Sequence, residues 1–267
     1  MSLQAVIFDW AGTMVDHGSL APLSVFRRAF AAVGIEISDE EARGPMGLPK
    51  WRHIQAVGRL PRIAALWEKT HGAPFTDQDV DRLHKLFLPL TLDAVAERAE
   101  LIPGAIETAN FVRSRGLKIG STTGYDRPTM EALLPLAAKQ GYAPDCLVTA
   151  SDLPQGRPSP LMMYRCFIEL QVWPAGAVVK IDDTVPGILE GVSAGSWTIG
   201  VAATGSPFGL SEEDAAALPA EQFMARRDAV ARDLTAAGAH FVIDGVRDLP
   251  PLIEEIERRM AAGERPQ

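Results

Sequence analysis

The sequence predicts an α/β fold, a doubly wound and mainly parallel sheet interrupted by an all-helical insertion. Three observations carry this prediction. Six short apolar runs recur along the 267 residues. They hold few charges, as strands covered on both faces of a parallel sheet do. Helix-like segments separate them, except in one stretch after the first run where no strand pattern appears.

In chain order the strand runs are Gln4–Phe8, Lys118–Ser121, Leu147–Thr149, Ala177–Ile181, Trp197–Val201 and Ala239–Ile243. The helical patterns between them are Gly104–Arg115, Arg127–Gln140, Ser159–Leu170, Val185–Ala194 and Ser211–Ala236. Alternation of this kind builds a doubly wound sheet. From Ser19 to Arg98 the segments Ser24–Val33, Lys50–Arg59, Arg62–Thr70 and Thr76–Glu97 all read as helices, punctuated by Gly34, Pro61, Pro74 and the Gly44–Pro49 stretch. The expected division is a core of residues 1–18 and 99–267 and a helical cap of residues 19–98.

Composition bounds the function. Hydrophobic residues make up 47% and charged residues 22%, an ordinary globular balance. Lys and Arg number 26 against 34 Asp and Glu, a net charge of −8. That balance lacks the electrostatic footprint of a nucleic-acid binder. Two cysteines, Cys146 and Cys166, make no disulfide framework and no Cys-x-x-Cys zinc site. The opening MSLQAVIFDW has no basic region, and Asp9 breaks its apolar run, so it does not read as a signal peptide. No uninterrupted apolar stretch reaches the roughly 18 residues of a membrane span. The expectation is a soluble cytoplasmic protein with no membrane or nucleic-acid partner.

Ligands of open α/β sheets bind at the carboxyl ends of the strands. The polar residues there are Asp9-Trp10-Ala11-Gly12-Thr13, Ser121-Thr122-Thr123-Gly124-Tyr125 and Asp182-Asp183-Thr184, with Gly156-Arg157-Pro158 before a helix. Two acidic ends suit Mg²⁺, a hard cation that takes oxygen ligands. Hydroxyls, free amides and an arginine suit a phosphoryl or phosphonyl group. Taken singly, each has a plain reading: Asp9 and the Asp182-Asp183 pair as helix caps, Thr122 and Thr123 as turn residues, Arg157 as a solvated side chain.

Their order along the chain resembles the haloacid dehalogenase superfamily: D-x-x-G-T after the first strand, then T-T-G, then R-P-x-P, then D-D. The resemblance implies a Rossmann-like core, an inserted cap, Asp9 as nucleophile, and Mg²⁺ held by Asp9, the Ala11 carbonyl and Asp183. The superfamily usually places a second acid at the position of Ala11, where it protonates the leaving group, help worth about 10²–10⁴-fold. It often places another four residues after the metal-binding Asp, where this chain has Gly187.

D-W-A-G-T together with M-G-L-P-K, Thr123-Gly124-Tyr125 and Gly156-Arg157-Pro158 is similar to the phosphonatase branch of that superfamily. The resemblance implies hydrolysis of the carbon–phosphorus bond of phosphonoacetaldehyde, in 2-aminoethylphosphonate degradation, with Lys50 forming a Schiff base. An imine is an electron sink, so carbon departs as an enamine and needs no proton from position 11. Imine formation needs a neutral amine, whereas a lysine of pKa about 10.4 is neutral in only roughly 1 molecule in 2,500 at pH 7. A helix N-terminus and desolvation both depress that pKa. His53 shares a helix face with Lys50 and is the expected proton shuttle. Arg157, Thr123 and Gly124 are expected on the phosphonyl oxygens, and Met46 and Tyr125 around the substrate. The branch implies a homodimer through the cap, with Trp51 or Trp67 at the interface or in the cap core. The competing readings are a phosphomonoesterase and a non-catalytic phosphate binder; Ala11 and Lys50 weigh against the first, the joint presence of Asp9, Thr123, Arg157 and Asp183 against the second.

Overall fold

The computed structural model describes residues 2–45 and 50–266. The chain divides into two compact units, Met1–Leu20 with Ala99–Gln267, and Ala21–Arg98.

Strand β1 (Ala5–Phe8) opens the first unit. The helices α1 (Leu20–Ala31), α2 (Asp39–Arg43), α3 (Lys50–Gly58), α4 (Pro61–His71) and α5 (Asp77–Glu97) follow. The chain then returns through α6 (Ala105–Ser114), β2 (Lys118–Thr123), α7 (Arg127–Lys139), β3 (Cys146–Thr149) and α8 (Leu161–Leu170). It continues through β4 (Val178–Asp182), α9 (Val185–Ala194), β5 (Trp197–Val201), α10 (Glu212–Ala217) and α11 (Ala220–Ala236). It closes with β6 (Phe241–Ile243) and α12 (Leu249–Ala261).

Among the described residues the sheet has six strands in the order β3-β2-β1-β4-β5-β6, every pair parallel. The order reverses between β1 and β4, which opens a crevice at their carboxyl ends. Register decides what meets there. Phe8 pairs with Ser121 on one side and Ile181 on the other, so the next row outward is Thr122, Asp9 and Asp182. The segments on either side of the insertion lie side by side within this unit. Val15 bridges Leu101 antiparallel, Asp16 N–H donates to the Glu100 carbonyl (3.1 Å), and Ile102 N–H to the Met14 carbonyl (2.9 Å).

The helical unit packs its own aromatic core. Phe26, Phe30, Ile54, Val57, Ile63, Trp67, Val80, Leu83 and Phe87 are buried. Phe26 meets Phe87 edge-on at 4.7 Å, and Trp67 meets Phe75 at 4.8 Å. Capping sets the ends: Ser38 and Glu41 close a capping box on α2, Pro61 starts α4, and Gly72 ends it in the left-handed conformation.

The structure corrects several sequence expectations. Ser211–Ala236 is two helices, because Leu218, extended ahead of Pro219, cannot continue the first. The first helix starts at Leu20 and not at Ser24: Asp16 Oδ1 receives the Leu20 N–H (3.0 Å), and the Ser24 hydroxyl bonds back to the Ala21 carbonyl. Thr122 and Thr123 are not turn residues, since β2 runs through both. Helix α8 begins at Leu161, two residues after Ser159, with Pro160 at its cap. The short α2 and the amphipathic α12 were absent from the sequence reading.

Candidate active site

Asp9 follows β1 with its N–H still donating to the Ile181 carbonyl (3.0 Å), so sheet hydrogen bonding fixes its backbone and it caps no helix. The next residues form a tight loop. Gly12 has φ +83°, and a Cβ there would fall 2.8 Å from Asp183 Oδ2, so glycine is required twice over. The Thr204 hydroxyl donates to the Gly12 carbonyl (2.7 Å) and pins the loop from the far side.

Arg157 reaches this row from the loop before α8. Its Nη2 donates to Asp9 Oδ1 (2.7 Å) and to the Thr122 carbonyl (2.8 Å), and lies 3.1 Å from Asp182 Oδ2. Its Nε donates to Glu190 Oε2 (3.2 Å). It is therefore no solvated surface residue. Lys180, fully buried on β4, lies 3.0 Å from Asp182 Oδ2 and 3.3 Å from Glu190 Oε2, and donates to Thr122 Oγ1 (2.7 Å). The Thr122 hydroxyl in turn donates to Glu190 Oε2 (2.8 Å). Thr122 was read at the strand end without a role, and Lys180 and Glu190 were missed in the sequence. Their signals were there: a lysine inside the apolar run AVVKI, and a glutamate on the buried face of α9 with Gly187, Gly191 and Ala194.

The carboxylates respond to this setting. Burial pushes Asp9 above its ordinary pKa, opposed by Arg157 and aided by the Asp182 charge. Burial, then the charges of Asp9 and Asp182, pushes Asp183 well up. Burial also acts on Asp182, but Arg157 and Lys180 hold it below the ordinary value. Burial acts on Arg157 too, yet Asp182, Asp9 and Glu190 keep its pKa well above the usual value.

Ligand atoms of Asp9, Asp182 and Asp183 lie within 4.8 Å of one another, all buried. Asp183 Oδ2 accepts from Ser206 N–H (2.7 Å), while Oδ1 is buried without a hydrogen-bond partner. Around the row, Asp9, Asp182, Asp183 and Glu190 face Arg157 and Lys180, four carboxylates against two cations. The formal excess of two negative charges, with an orphaned carboxylate oxygen, fits a hard divalent cation. Ala11 lies two residues past Asp9 in the loop.

On the neighbouring strand end, Thr123 is buried and its Oγ1 accepts the Tyr125 N–H (3.1 Å). A Cβ on Gly124 would meet nothing within 4 Å, so its backbone borders open space. Tyr125 is buried near the charges of Asp16, Asp9 and Asp183; burial and these charges raise its pKa. It therefore stays a neutral phenol.

In the helical unit, Lys50 is the first residue of α3, half-buried, with Nζ 5.8 Å from the centre of the Phe87 ring. His53 is buried one turn on. Its ring stacks on Phe26 at 3.8 Å, and Nε2 donates to the Ala42 carbonyl (2.7 Å). Burial, with the Lys50 charge assisting, pushes its pKa down to about 4. Trp67 is cap core, whereas the half-buried Trp51 donates from Nε1 to Asp81 Oδ1 (2.7 Å). Met46 lies outside the described residues.

A crevice at the β1–β4 switch with an arginine-held aspartate and an acidic cluster defines a class, and comparison with known proteins agrees. The haloacid dehalogenase-like hydrolase family matches residues 3–195, and the chain belongs to that family. It is 47% identical over 264 residues to the phosphonoacetaldehyde hydrolase of Paraburkholderia xenovorans, covering 99% of both chains. It is 49% identical over 267 residues to that of Vibrio parahaemolyticus, covering 99% of this chain and 98% of the other. The crystal structure of a phosphonoacetaldehyde hydrolase-like protein from Oleispira antarctica superposes with a TM-score of 0.93 at 42% identity, covering 100% of this chain and 96% of that one.

Proposed function

We propose that this chain hydrolyses the carbon–phosphorus bond of phosphonoacetaldehyde to acetaldehyde and phosphate. The observation that carries the reading is that Asp9 is held on Arg157 while the residue two positions on, Ala11, has no proton to give. Such a site needs a leaving group that departs without protonation, and an enamine is one. Full-length relatives named for this activity support it.

Lys50 condenses with the aldehyde, losing water and forming a protonated imine. Asp9 attacks phosphorus through a carboxylate oxygen. The carbon–phosphorus bond breaks, its electron pair moves into the enamine, and an aspartyl-phosphate remains. Arg157, already fixed by Thr122 and Glu190, balances the anionic oxygens without reorganising. Thr123 and the Gly124 amide hold the remaining oxygens, and Tyr125, kept neutral, and Met46 border the aldehyde end. Protonation and hydrolysis of the enamine free Lys50 and acetaldehyde, and water cleaves the aspartyl-phosphate. Asp9, Asp183 and the Ala11 carbonyl would hold a Mg²⁺ ion, which would supply charge neutralisation during phosphoryl transfer.

His53 acts on Lys50 as a neutral imidazole. Its Nε2 is committed to Ala42, so any proton it takes arrives at Nδ1. In the same reading the helical unit carries a homodimer contact, which light scattering at twice the chain mass tests, and the working compartment is the cytoplasm. Among the described residues no helix is long and apolar enough to cross a membrane.

The test is incubation with phosphonoacetaldehyde and Mg²⁺, with acetaldehyde and phosphate measured together. Equal release of both is expected. Borohydride added during turnover reduces the imine and labels Lys50. Phosphate released from simple phosphomonoesters with no turnover of phosphonoacetaldehyde would replace this reading with a phosphatase.

A further inference from the structure

Lys180 sits in the middle of β4, fully buried, where a strand of a parallel sheet ordinarily carries an apolar side chain. Helix α9 lies so close to it that a Cβ at Gly191 would fall 2.8 Å from Lys180 Cβ and 2.6 Å from Thr198 Cγ2. Glycine there lets the helix backbone rest on the lysine stem, and it brings the preceding residue, Glu190, to the ammonium. An ammonium has three donors and no acceptor. Around Lys180 Nζ stand three acceptors: Thr122 Oγ1 (2.7 Å), Asp182 Oδ2 (3.0 Å) and Glu190 Oε2 (3.3 Å). Because Nζ can only donate to it, the Thr122 hydroxyl turns its own proton to Glu190 Oε2 (2.8 Å).

The consequence falls on Arg157. Three carboxylates, those of Asp9, Asp182 and Glu190, compete for its guanidinium. Nε goes to Glu190 and Nη2 to Asp9, while Nη1 has no hydrogen-bond partner among the described residues. Two of the three competitors, Asp182 and Glu190, are the ones that Lys180 also meets. We propose that Lys180 is a positioning residue: by satisfying Glu190 and Asp182 it leaves Arg157 its bond to Asp9 and a free Nη1 for an anionic oxygen of the substrate. Without the lysine, two fully buried carboxylates would be left to a single cation, and the guanidinium would be drawn to them and off Asp9. The link to turnover rests on the proposed function; the hold on Arg157 does not.

A double-mutant cycle on the full chain tests it. The variants are Lys180→Met, Arg157→Lys, the two together, and Lys180→Met combined with Glu190→Gln. Each is measured for kcat and KM with phosphonoacetaldehyde, for inorganic phosphate affinity by calorimetry with Mg²⁺ present, and for its thermal midpoint. Lys180→Met removes the charge at similar length. It is expected to weaken phosphate binding and to lower kcat/KM about 10- to 100-fold, the loss that a displacement of about 1 Å at a catalytic group brings. With Arg157 already replaced by lysine, Lys180→Met is expected to cost less than about threefold more, because the group it acts through is gone. Adding Glu190→Gln to Lys180→Met removes the uncompensated carboxylate and is expected to recover about tenfold. A lysine that only supports the fold would lower the thermal midpoint, and its kinetic cost would multiply with that of Arg157→Lys. Such multiplication, parent kcat/KM in Lys180→Met, or no recovery on adding Glu190→Gln overturns the proposal. If Lys180→Met does not fold, Glu190→Gln takes its place in the cycle with Arg157→Lys, and the same coupling or multiplication decides. If the parent binds phosphate without turning over phosphonoacetaldehyde and the cycle on phosphate affinity still shows the coupling, the proposed function fails and the role of Lys180 stands. A parent that does neither overturns both.

Discussion

At the carboxyl end of the sheet, Asp9, Arg157, Lys180, Asp182 and Glu190 form one connected ionic web with Asp183 against its edge. In the helical unit, His53 and Lys50 sit against phenylalanine rings, and the histidine is kept uncharged. The contrast separates two chemical needs. Phosphoryl transfer requires fixed charge, and the sheet end buries four carboxylates against two cations. Imine formation requires an uncharged amine, which a web of carboxylates would oppose by holding the ammonium. A site that combined both in one cluster would lose one of them.

The largest expected effect comes from breaking the charged half. Asp9→Asn keeps the shape and removes the proposed nucleophile, so phosphate release should fall roughly 10⁴-fold or more, read from steady-state release of both products. Phosphate release at the parent rate would remove the aspartyl-phosphate step.

Breaking the uncharged half comes next. Lys50→Arg keeps the cation and cannot form an imine, so turnover should fall roughly 10³-fold or more while phosphate still competes with substrate for the sheet site. Intact mass after borohydride should show no adduct. An adduct on this variant would mean that another amine is the sink.

A stability measurement sharpens the comparison. The His53 pKa is about 4 in the fold against an ordinary 6.5. The unfolded chain therefore binds the extra proton first as pH falls, and stability present above pH 6.5 is lost on the way down to pH 4. The difference corresponds to about 3 kcal/mol. Thermal midpoints of the parent and His53→Gln across that window should diverge, with the variant losing less. Parallel curves would mean that His53 takes up its proton alike in the folded and unfolded chain.

The smallest expected effect is that of chelation. Mg²⁺ at a hundredfold excess over its Kd should stabilise the chain by about 2.7 kcal/mol. Hydrogen exchange should place the protection around β1 and β4, and EDTA should remove it there while leaving α1 to α5 unchanged. Equal loss in both units would contradict the separation drawn above.

The sheet and the motif carriers were legible from the sequence because each is local. Short apolar runs mark strands, and Asp9, Arg157 and Asp183 stand in a recognisable order. The web was not legible, because it is made by closure. Lys180 and Glu190 are ten residues apart on different elements, and only the packing of α9 against β4 brings them to one Thr122 hydroxyl. Two misses were local and avoidable. Pro219 announces the break in Ser211–Ala236, and Ile253, Ile256 and Met260 give α12 its apolar stripe.

The antiparallel bridge between Val15 and Leu101, with its flanking hydrogen bonds, joins the insertion's entry and exit before the insertion begins. The ends are thus already brought together, and a different length of chain between them adds only the slow logarithmic cost of a longer loop. The sheet can accept a foreign insertion, or a short glycine bridge in place of residues 21–98, without re-solving its own folding problem. The inserted unit can then be exchanged alone, with the host sheet left as it stands.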